Sequence, residues 1–291
     1  MTTPPTHPLL APIQALHRHI RAEVVRACEQ AAVSTLADVA RDDEGDTIYD
    51  IDRVAEHTLV DAIERTIASA EEPVLLVAEG IEGGEVVIPS GAPRSRVRWV
   101  IVVDPIDGTV NFVYGIPAYA VSIGAQIGGI SVAGSVIDVV SGELYSASVG
   151  AGAHMTSAGK RRAIRCNDVD ELSMALLGTG FGYAPRRRTE QSRLLANMLP
   201  LVRDVRRIGS ASLDLCLVAS GRLDAHYEHG LHVWDWAAGA VIAAEAGAVV
   251  RLPQSRGSSG GAGLALVSAP GIADELIATL DRFGGLEPLA T

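Results

Sequence analysis

The chain has 291 residues, of which 48% are apolar, enough to bury the core of one large α/β domain or two joined subdomains. Its formal net charge of −11 argues against a general nucleic-acid-binding surface, which needs an excess of lysine and arginine. The three cysteines are scattered, and we interpret them as reduced thiols of a cytoplasmic protein. No apolar run approaches the ~20 residues of a membrane helix, and we expect no signal peptide at the polar, proline-rich start.

The first part of the chain predicts two helices followed by a buried strand. Apolar residues recur at three- and four-residue spacing over 11–31, which is typical of an amphipathic helix. Asp50 can cap a second helix that carries its own apolar stripe. The apolar run Val74–Ala78 predicts a short buried strand that ends at Glu79. Because glycines and prolines interrupt 80–96, we expect an exposed loop there.

The middle of the chain is rich in predicted strands, and the remainder alternates between helices and strands. Strands are predicted at 97–103, 119–127, 131–140 and 143–148, with glycine-containing turns between the last three. Beyond residue 150, strands are predicted at 174–178, 222–227 and 264–269, and helices at 189–199, 210–220, 235–246 and 272–283. The sequence therefore predicts a mixed, layered α/β (α+β) architecture, with an N-terminal α+β subdomain over 1–149 and a C-terminal α/β subdomain over 150–291.

Nine residues that begin at Asp104 read Asp-Pro-Ile-Asp-Gly-Thr-Val-Asn-Phe and directly follow an apolar strand. Carboxylates repel each other and resist burial, so a fold that gathers them at a strand end needs a cation. Asp104, Asp107 and the Ile106 carbonyl offer hard oxygen ligands that suit Mg²⁺ and phosphate chemistry. The N–H groups of Gly108 and Thr109 could face an anion, and the Thr109 hydroxyl could orient a water. The alternative is an ordinary turn capped by side-chain hydrogen bonds.

Three other acidic residues are candidate partners of this motif. Glu79 ends a predicted strand, as Asp104 does, and α/β sheets place their ligands at such ends. Asp235 opens a helix that is apolar nearly all round and therefore buried. Glu228 precedes that helix and could reach a polar substrate. Each also has a plainer interpretation: Glu79 and Glu228 as solvated loop acids, and Asp235 as a helix cap, although a cap can also bind metal.

Further features have weaker claims to a function. Asp52 is either an acid at the start of the second helix or a functional residue. His226, His229 and His232 invite a zinc interpretation, but the segment is predicted to be a strand end, so they would not share one helical face. The arginine run 186–188 is either a solvated helix entrance or a phosphate or partner contact.

The chain resembles the inositol monophosphatase family of Mg²⁺-dependent, Li⁺-sensitive phosphatases, and within it the bacterial inositol-1-monophosphatases. Glu79 falls at the family's Gly-Glu-Glu position, and the motif that begins at Asp104 matches its first signature. The second signature is matched by Trp234-Asp235-x-Ala237-x-Gly239-x-x-x-x-x-Glu245-Ala246-Gly247. The resemblance spans nearly the whole chain. It implies a layered αβαβα sandwich of the inositol monophosphatase/fructose-1,6-bisphosphatase type, assembled as a homodimer.

The resemblance also implies roles for the candidate residues. The metal ligands are Glu79, Asp104 and the Ile106 carbonyl for one Mg²⁺, and Asp104, Asp107 and Asp235 for a second. Asp52 matches a position near a third, weakly held ion. Glu79 and Thr109 would position the attacking water. The implied substrate contacts are Gly108 and Thr109 to the phosphate, and Gly209, Ser210, Ala211, Glu228 and Asp235 around the sugar. No departure from the family pattern removes a metal ligand; the departures are Ala78, Gly80, Val110 and Ala248.

These observations predict a phosphomonoesterase that hydrolyses myo-inositol 1-phosphate with two or three Mg²⁺ ions per subunit and no covalent phosphoenzyme. One alternative is the same chemistry on histidinol phosphate, fructose 1,6-bisphosphate or a 3′-phosphoadenosine nucleotide, although Glu228 favours a polyol. Another is a regulatory or interaction protein that kept the fold. We expect neither a nucleic-acid nor a membrane partner.

Overall fold

A computed structural model describes residues 7–30, 39–43, 46–49, 59–69, 71–81, 83–253 and 263–289. The helices are α1 (Leu10–Gln30), α2 (59–66), α3 (Thr109–Val113), α4 (Pro185–Met198), α5 (Ala211–Ala219), α6 (Val233–Glu245) and α7 (Pro270–Arg282). The strands are β1 (Val39–Asp43), β2 (Asp46–Tyr49), β3 (Val74–Ala78), β4 (Glu85–Ile88), β5 (Trp99–Asp107), β6 (Ala120–Ile127), β7 (Ile130–Asp138), β8 (Leu144–Ser148), β9 (Ala153–Ser157), β10 (Lys160–Ala163), β11 (Leu176–Thr179), β12 (Asp204–Arg206), β13 (Ala225–His229), β14 (Val249–Arg251) and β15 (Leu264–Ser268). Within these ranges, none of the helices has the length and apolar character needed to cross a membrane.

Two large sheets organise the chain. The first has eight strands in the order β10-β9-β8-β7-β6-β5-β3-β4, and the second has five in the order β12-β11-β13-β15-β14. In the first sheet only β3 and β5 are parallel neighbours, so their carboxyl ends lie side by side. In the second sheet β11 runs parallel to both β12 and β13. The parallel pair β3/β5 of the first sheet and the parallel pair β11/β13 of the second end at one pocket, and this is where the candidate site lies.

Helices alternate with the two sheets to make five layers. The buried Ile13 of α1 belongs to a core on one face of the eight-stranded sheet, and α2 contributes to the same core. Leu215 of α5 and Trp236 of α6 fill a second core between the two sheets. Leu194 of α4 and Leu276 of α7 cover the outer face of the five-stranded sheet. This order of layers confirms the predicted αβαβα sandwich. The proposed division of the chain at 149/150 stays a prediction.

The contact between α6 and the eight-stranded sheet depends on a glycine of β7. A Cβ built on Gly134 would lie 2.6 Å from the Ala238 carbonyl oxygen and 2.7 Å from Val241 Cγ1, closer than packed atoms normally approach. We therefore expect Gly134→Ala to push helix and sheet apart and to lower the free energy of unfolding by about 2 kcal/mol, measured by urea denaturation. Ile130→Ala, at an exposed position of the same strand, is the control and should change it by less than about 0.5 kcal/mol.

A buried histidine fixes α1 against β7 and makes the fold sensitive to acid. His17 is fully buried, and its Nε2 lies 2.8 Å from the Ser135 carbonyl oxygen. Burial lowers its pKa to about 4, against the opposing effect of that hydrogen bond. Because the unfolded chain binds this proton with a pKa of ~6.5, stability is lost as the pH falls from about 6.5 towards 4, by about 3 kcal/mol.

We expect His17→Gln to lose less stability than the wild type over this pH range, because glutamine keeps a donor for Ser135 but does not titrate. Urea unfolding at pH 7 and at pH 4 measures the difference. Equal acid losses in the two proteins would show that His17 is not the sensitive group.

Most predicted elements are present within a few residues of their predicted bounds. Two predictions need correction, and several short elements were missed. The segment 80–96 is not simply a loop, because β4 pairs antiparallel with β3 inside it. The strand predicted at 97–103 continues to Asp107, with an irregular register between Asp104 and Asp107. Six short strands, β1, β2, β9, β10, β12 and β14, and the short helix α3 were not predicted, since each is brief and most are partly polar. The predicted cap Asp50 lies outside the described residues.

Candidate active site

A pocket of about 200 Å³ opens where the ends of β3, β5, β11 and β13 meet the starts of α5 and α6. Its lining includes all but one of the residues that the sequence singled out for the site: Glu79, Asp104, Ile106, Asp107, Gly108, Thr109, Gly209, Ser210, Ala211, Glu228 and Asp235. The exception is Asp52, the candidate for a third metal, which lies outside the described residues. Segments more than 150 residues apart in the chain thus line one pocket.

The parallel pairing of β3 and β5 brings the first two acids together. Ala78 pairs with Val103, and the Glu79 N–H donates to the Val103 carbonyl oxygen at 3.3 Å. Glu79 and Asp104 therefore follow directly after paired residues on neighbouring strands. The two strand ends therefore place the backbones of Glu79 and Asp104 side by side, whereas the Glu79 carboxylate is not part of the closest carboxylate cluster of the described residues.

Three carboxylates converge in this pocket. One ligand atom from each of Asp104, Asp107 and Asp235 lies within 4.8 Å of the others. The Ile106 N–H donates to Asp104 Oδ1 at 3.0 Å, and the His232 N–H donates to Asp235 Oδ2 at 2.6 Å. Asp235 is thus the acid of a capping box at the start of α6 as well as a member of the cluster. The interpretation of Asp235 as a helix cap is confirmed, and its interpretation as a metal ligand stays a prediction that is compatible with the cap.

Asp107 is the most heavily hydrogen-bonded member of the cluster. Its Oδ2 accepts from Ser210 Oγ at 2.6 Å, from the Ser212 N–H at 2.6 Å and from Ser212 Oγ. Burial raises the pKa of Asp107, the three donors oppose that effect, and the charge of Glu228 adds to it. Within the described ranges all three donors fall on one oxygen, so Oδ1 can serve as a ligand.

The turn around Asp107 brings the Thr109 hydroxyl close to the Ile106 carbonyl oxygen. The Thr109 hydroxyl donates to the Ile106 carbonyl oxygen at 2.9 Å. Gly108 has a φ of +98°, and a Cβ there would lie 3.0 Å from the Ala118 carbonyl oxygen and 3.1 Å from that of Gly209. Only glycine fits this conformation and this space, which explains the glycine of the motif.

Asn111 ties the motif to the opposite wall of the pocket. Its Nδ2 donates to the carbonyl oxygens of Ala118, at 2.7 Å, and Ile208, at 2.9 Å. This bridge positions the segment that leads into Gly209, Ser210 and the start of α5. Asn111 belongs to the motif that begins at Asp104, but the sequence of that motif does not predict that Asn111 joins the two halves of the pocket.

Two arginines, Arg187 and Arg207, also line the pocket. Arg187 is the middle residue of the run 186–188, and it is the one member of the run that lines the pocket. The prediction that this run contacts a phosphate or a partner therefore now concerns Arg187. The three candidate zinc histidines, all described, do not form a metal-binding group. His229 Nε2 lies 2.8 Å from the Gly285 carbonyl oxygen, while the ring of His232 stacks on Trp234 at 4.5 Å.

The donor set at the carboxylate cluster suits a hard divalent cation. Asp104 is 1% exposed and Asp107 is 8% exposed, and burying such close negative charges is costly without a compensating cation. All the ligand atoms are oxygens, which Mg²⁺ prefers, whereas structural zinc sites use sulfur and nitrogen. Among the described residues, no other group of three histidine, cysteine or acidic side chains comes as close together. The residues present therefore fit Mg²⁺.

Comparison with known proteins gives matches over most of the chain. The model of the inositol monophosphatase family matches residues 8–283. Inositol-1-monophosphatase SuhB of Mycobacterium tuberculosis (strain ATCC 25618 / H37Rv) is 64% identical over 219 residues, covering 75% of this chain and 73% of that relative. Nus factor SuhB of Vibrio cholerae is 38% identical over 208 residues, covering 70% of this chain and 71% of that relative.

Solved structures share the fold over almost the whole chain. Mycobacterium tuberculosis SuhB superposes with a TM-score of 0.73 at 47% identity, covering 96% of each chain. A structure of inositol monophosphate-bound SaIMPase-II superposes with a TM-score of 0.70 at 26% identity, covering 95% of this chain and 97% of the other.

Proposed function

This chain belongs to the inositol monophosphatase family, and we propose that its pocket hydrolyses a phosphorylated polyol, myo-inositol 1-phosphate, in a Mg²⁺-dependent reaction. The observation that carries the proposal is the convergence of Asp104, Asp107 and Asp235 within 4.8 Å, beside Glu79 and Thr109. A pocket lined by both a carboxylate cluster and arginines suits a phosphate ester that is bound through cations.

The proposed metal ligands are Glu79, Asp104, the Ile106 carbonyl, Asp107 and Asp235. When bound, Mg²⁺ supplies Lewis-acid stabilisation of the phosphate oxygens and lowers the pKa of a bound water. The serine that lines the described pocket, Ser210, is buried and donates its hydroxyl to Asp107, which is itself a proposed metal ligand, so direct attack by water is favoured over a covalent intermediate.

The chain's own groups bind and orient the substrate in this proposal. The N–H groups of Gly108 and Thr109 would donate to the phosphate, while Glu79 and Thr109 would hold the attacking water in line. Gly209, Ser210 and Ala211 would line the sugar, with Asp235 near the ester oxygen. Glu228 reaches the pocket with a side chain that is 12% exposed, and its carboxylate would accept hydrogen bonds from ring hydroxyls.

Phosphate release from a panel of substrates, with and without Mg²⁺, tests the proposal. The panel is myo-inositol 1-phosphate, histidinol phosphate, fructose 1,6-bisphosphate and a 3′-phosphoadenosine nucleotide. We expect Mg²⁺-dependent release with the highest kcat/KM on inositol 1-phosphate, and inhibition by Li⁺. Release that is unaffected by chelation of Mg²⁺ would overturn the metal scheme, whereas a higher kcat/KM on another member would overturn only the substrate.

A second role as an interaction protein is suggested by relatives that are named Nus factor SuhB, 38% identical in the case of Vibrio cholerae. The two roles are separable, because hydrolysis needs the carboxylate cluster and binding of a partner protein does not. A cellular function that is retained by Asp104→Asn and lost on deletion of the protein would support the second role. Loss of that function in both cases would tie it to catalysis.

A further inference from the structure

Two buried side chains and one half-buried side chain form a row that leads from the core to the pocket: Asp214 of α5, and His226 and Glu228 of β13. His226 Nδ1 lies 3.7 Å from Asp214 Oδ2, and His226 Nε2 lies 3.4 Å from Glu228 Oε2. The exposed fraction of the side chain is 2% for Asp214, 0% for His226 and 12% for Glu228. Only the Glu228 end of the row therefore meets the pocket.

Two glycines make room for this row, one in the neighbouring strand β11 and one directly after it. Gly178 pairs with His226 across the sheet, and a Cβ on it would lie 2.9 Å from His226 Nδ1. A Cβ on Gly180 would collide with the Glu228 carboxylate. His226 and Glu228 share one face of β13 because strand side chains alternate. Gly178 in β11 and Gly180 just after it leave the space that both side chains occupy.

The charges of the row depend on one another. Neither nitrogen of His226 has a hydrogen-bond partner in the described part of the chain, so the two acids are its polar neighbours. Burial acts to lower the pKa of His226, but Asp214, Glu228 and the more distant Asp107 outweigh it and raise that pKa. Burial also raises the pKa of Asp214 to about 8, an effect that His226 and Arg207 oppose. The neighbouring acids thus favour the charged form of the imidazole, which faces the Glu228 carboxylate.

We propose that His226 is a positioning residue, which holds the Glu228 carboxylate in the pocket from behind and so sets the affinity for substrates that carry hydroxyl groups. The inference rests on the proposed function, since it concerns the recognition of the polyol by Glu228. His226 does not line the pocket, so it acts only through its neighbour. Asp214 orients the imidazole from the opposite side.

NMR titration of the histidine side chains tests the row without any need for activity. The His226 signals are those that His226→Phe removes. We expect Glu228→Gln and Asp214→Asn, which each neutralise one neighbour, to lower the pKa of His226 by about one unit or more. Tyr227→Phe is the matched control, since Tyr227 is buried on the opposite face of the same strand, in the core beneath α4 and α7. An unchanged His226 titration in both acid variants would overturn the proposal.

Kinetics then separate positioning from a merely structural role. We expect His226→Phe to raise the KM for inositol 1-phosphate about tenfold, with kcat changed by less than about twofold. The KM for phenyl phosphate, which has no ring hydroxyls, should not change. In a Glu228→Gln background the same substitution should have no further effect on KM.

Two outcomes of the kinetic test count against the proposal. An equal rise in KM for both substrates, or the same rise in the Glu228→Gln background, would show that His226 does not act through Glu228. Failure of the proposed function would look different: the wild type would show no Mg²⁺-dependent release from any phosphate ester. The NMR titration would still decide whether the row exists.

Discussion

Replacing Asp104 with asparagine is expected to lower Mg²⁺-dependent phosphate release by at least about a hundredfold while the protein stays folded. Asp104 is the ligand proposed to be shared between two ions, and asparagine keeps its shape but removes its charge. The Ile106 N–H can still donate to the remaining carbonyl oxygen, so the turn is preserved. Phosphate release at saturating inositol 1-phosphate measures the effect.

Thermal unfolding gives an independent readout of the same variant. One ligand atom of Asp104 lies within 4.8 Å of those of Asp107 and Asp235, so removing its charge relieves repulsion among the three. Without Mg²⁺ the variant should unfold at the same temperature as the wild type or higher. With Mg²⁺ the wild-type Tm should rise by more than that of the variant, because binding to the folded state stabilises it.

Asp274→Asn is the control for this pair of measurements, since Asp274 is an exposed acid on α7, outside the pocket. It should alter neither phosphate release nor the gain in Tm with Mg²⁺. Full activity in Asp104→Asn would remove the basis of the metal scheme. An unfolded Asp104→Asn protein would instead make Asp104 a structural residue.

The part of the site that could be predicted from the sequence depends on strand ends. Glu79 and Asp104 each follow an apolar run, and two buried strands that run parallel bring their ends together. Asp235 could be placed because a helix that is apolar all round must be buried. The five-layer order was implied by the resemblance to a family and not by the periodicity of the residues.

The remaining features depend on three-dimensional register, which one sequence does not specify. Ser212 meets Asp107 because of how α5 is oriented against β5, and serines on a helix carry no signal for such a contact. His226 faces Asp214 because β13 pairs with β11 at Gly178. The strand β4 was missed because its neighbouring glycines and prolines indicated a loop, although pairing with β3 outweighs that local preference.

Ser212→Ala is expected to lower both the stability and the activity of the protein. It removes one of the three donors to Asp107 Oδ2 and leaves a buried carboxylate less well solvated. A hydrogen bond to a charged group contributes about 2 kcal/mol, which is the expected loss in the free energy of unfolding. Loss of a group that orients a metal ligand should also raise the Mg²⁺ concentration for half-maximal phosphate release about ten- to a hundredfold.

Two serine substitutions separate these effects. Ser212→Thr keeps the hydroxyl and should retain most of the Mg²⁺ affinity. Ser220→Ala removes a hydroxyl that donates only to the carbonyl oxygens of Cys216 and Leu217 in the same helix, and should leave the Mg²⁺ dependence unchanged. Ser212→Ala could instead lose stability and still reach half-maximal release at the wild-type Mg²⁺ concentration. The hydrogen bonds from Ser212 to Asp107 would then stabilise the fold without affecting a metal site.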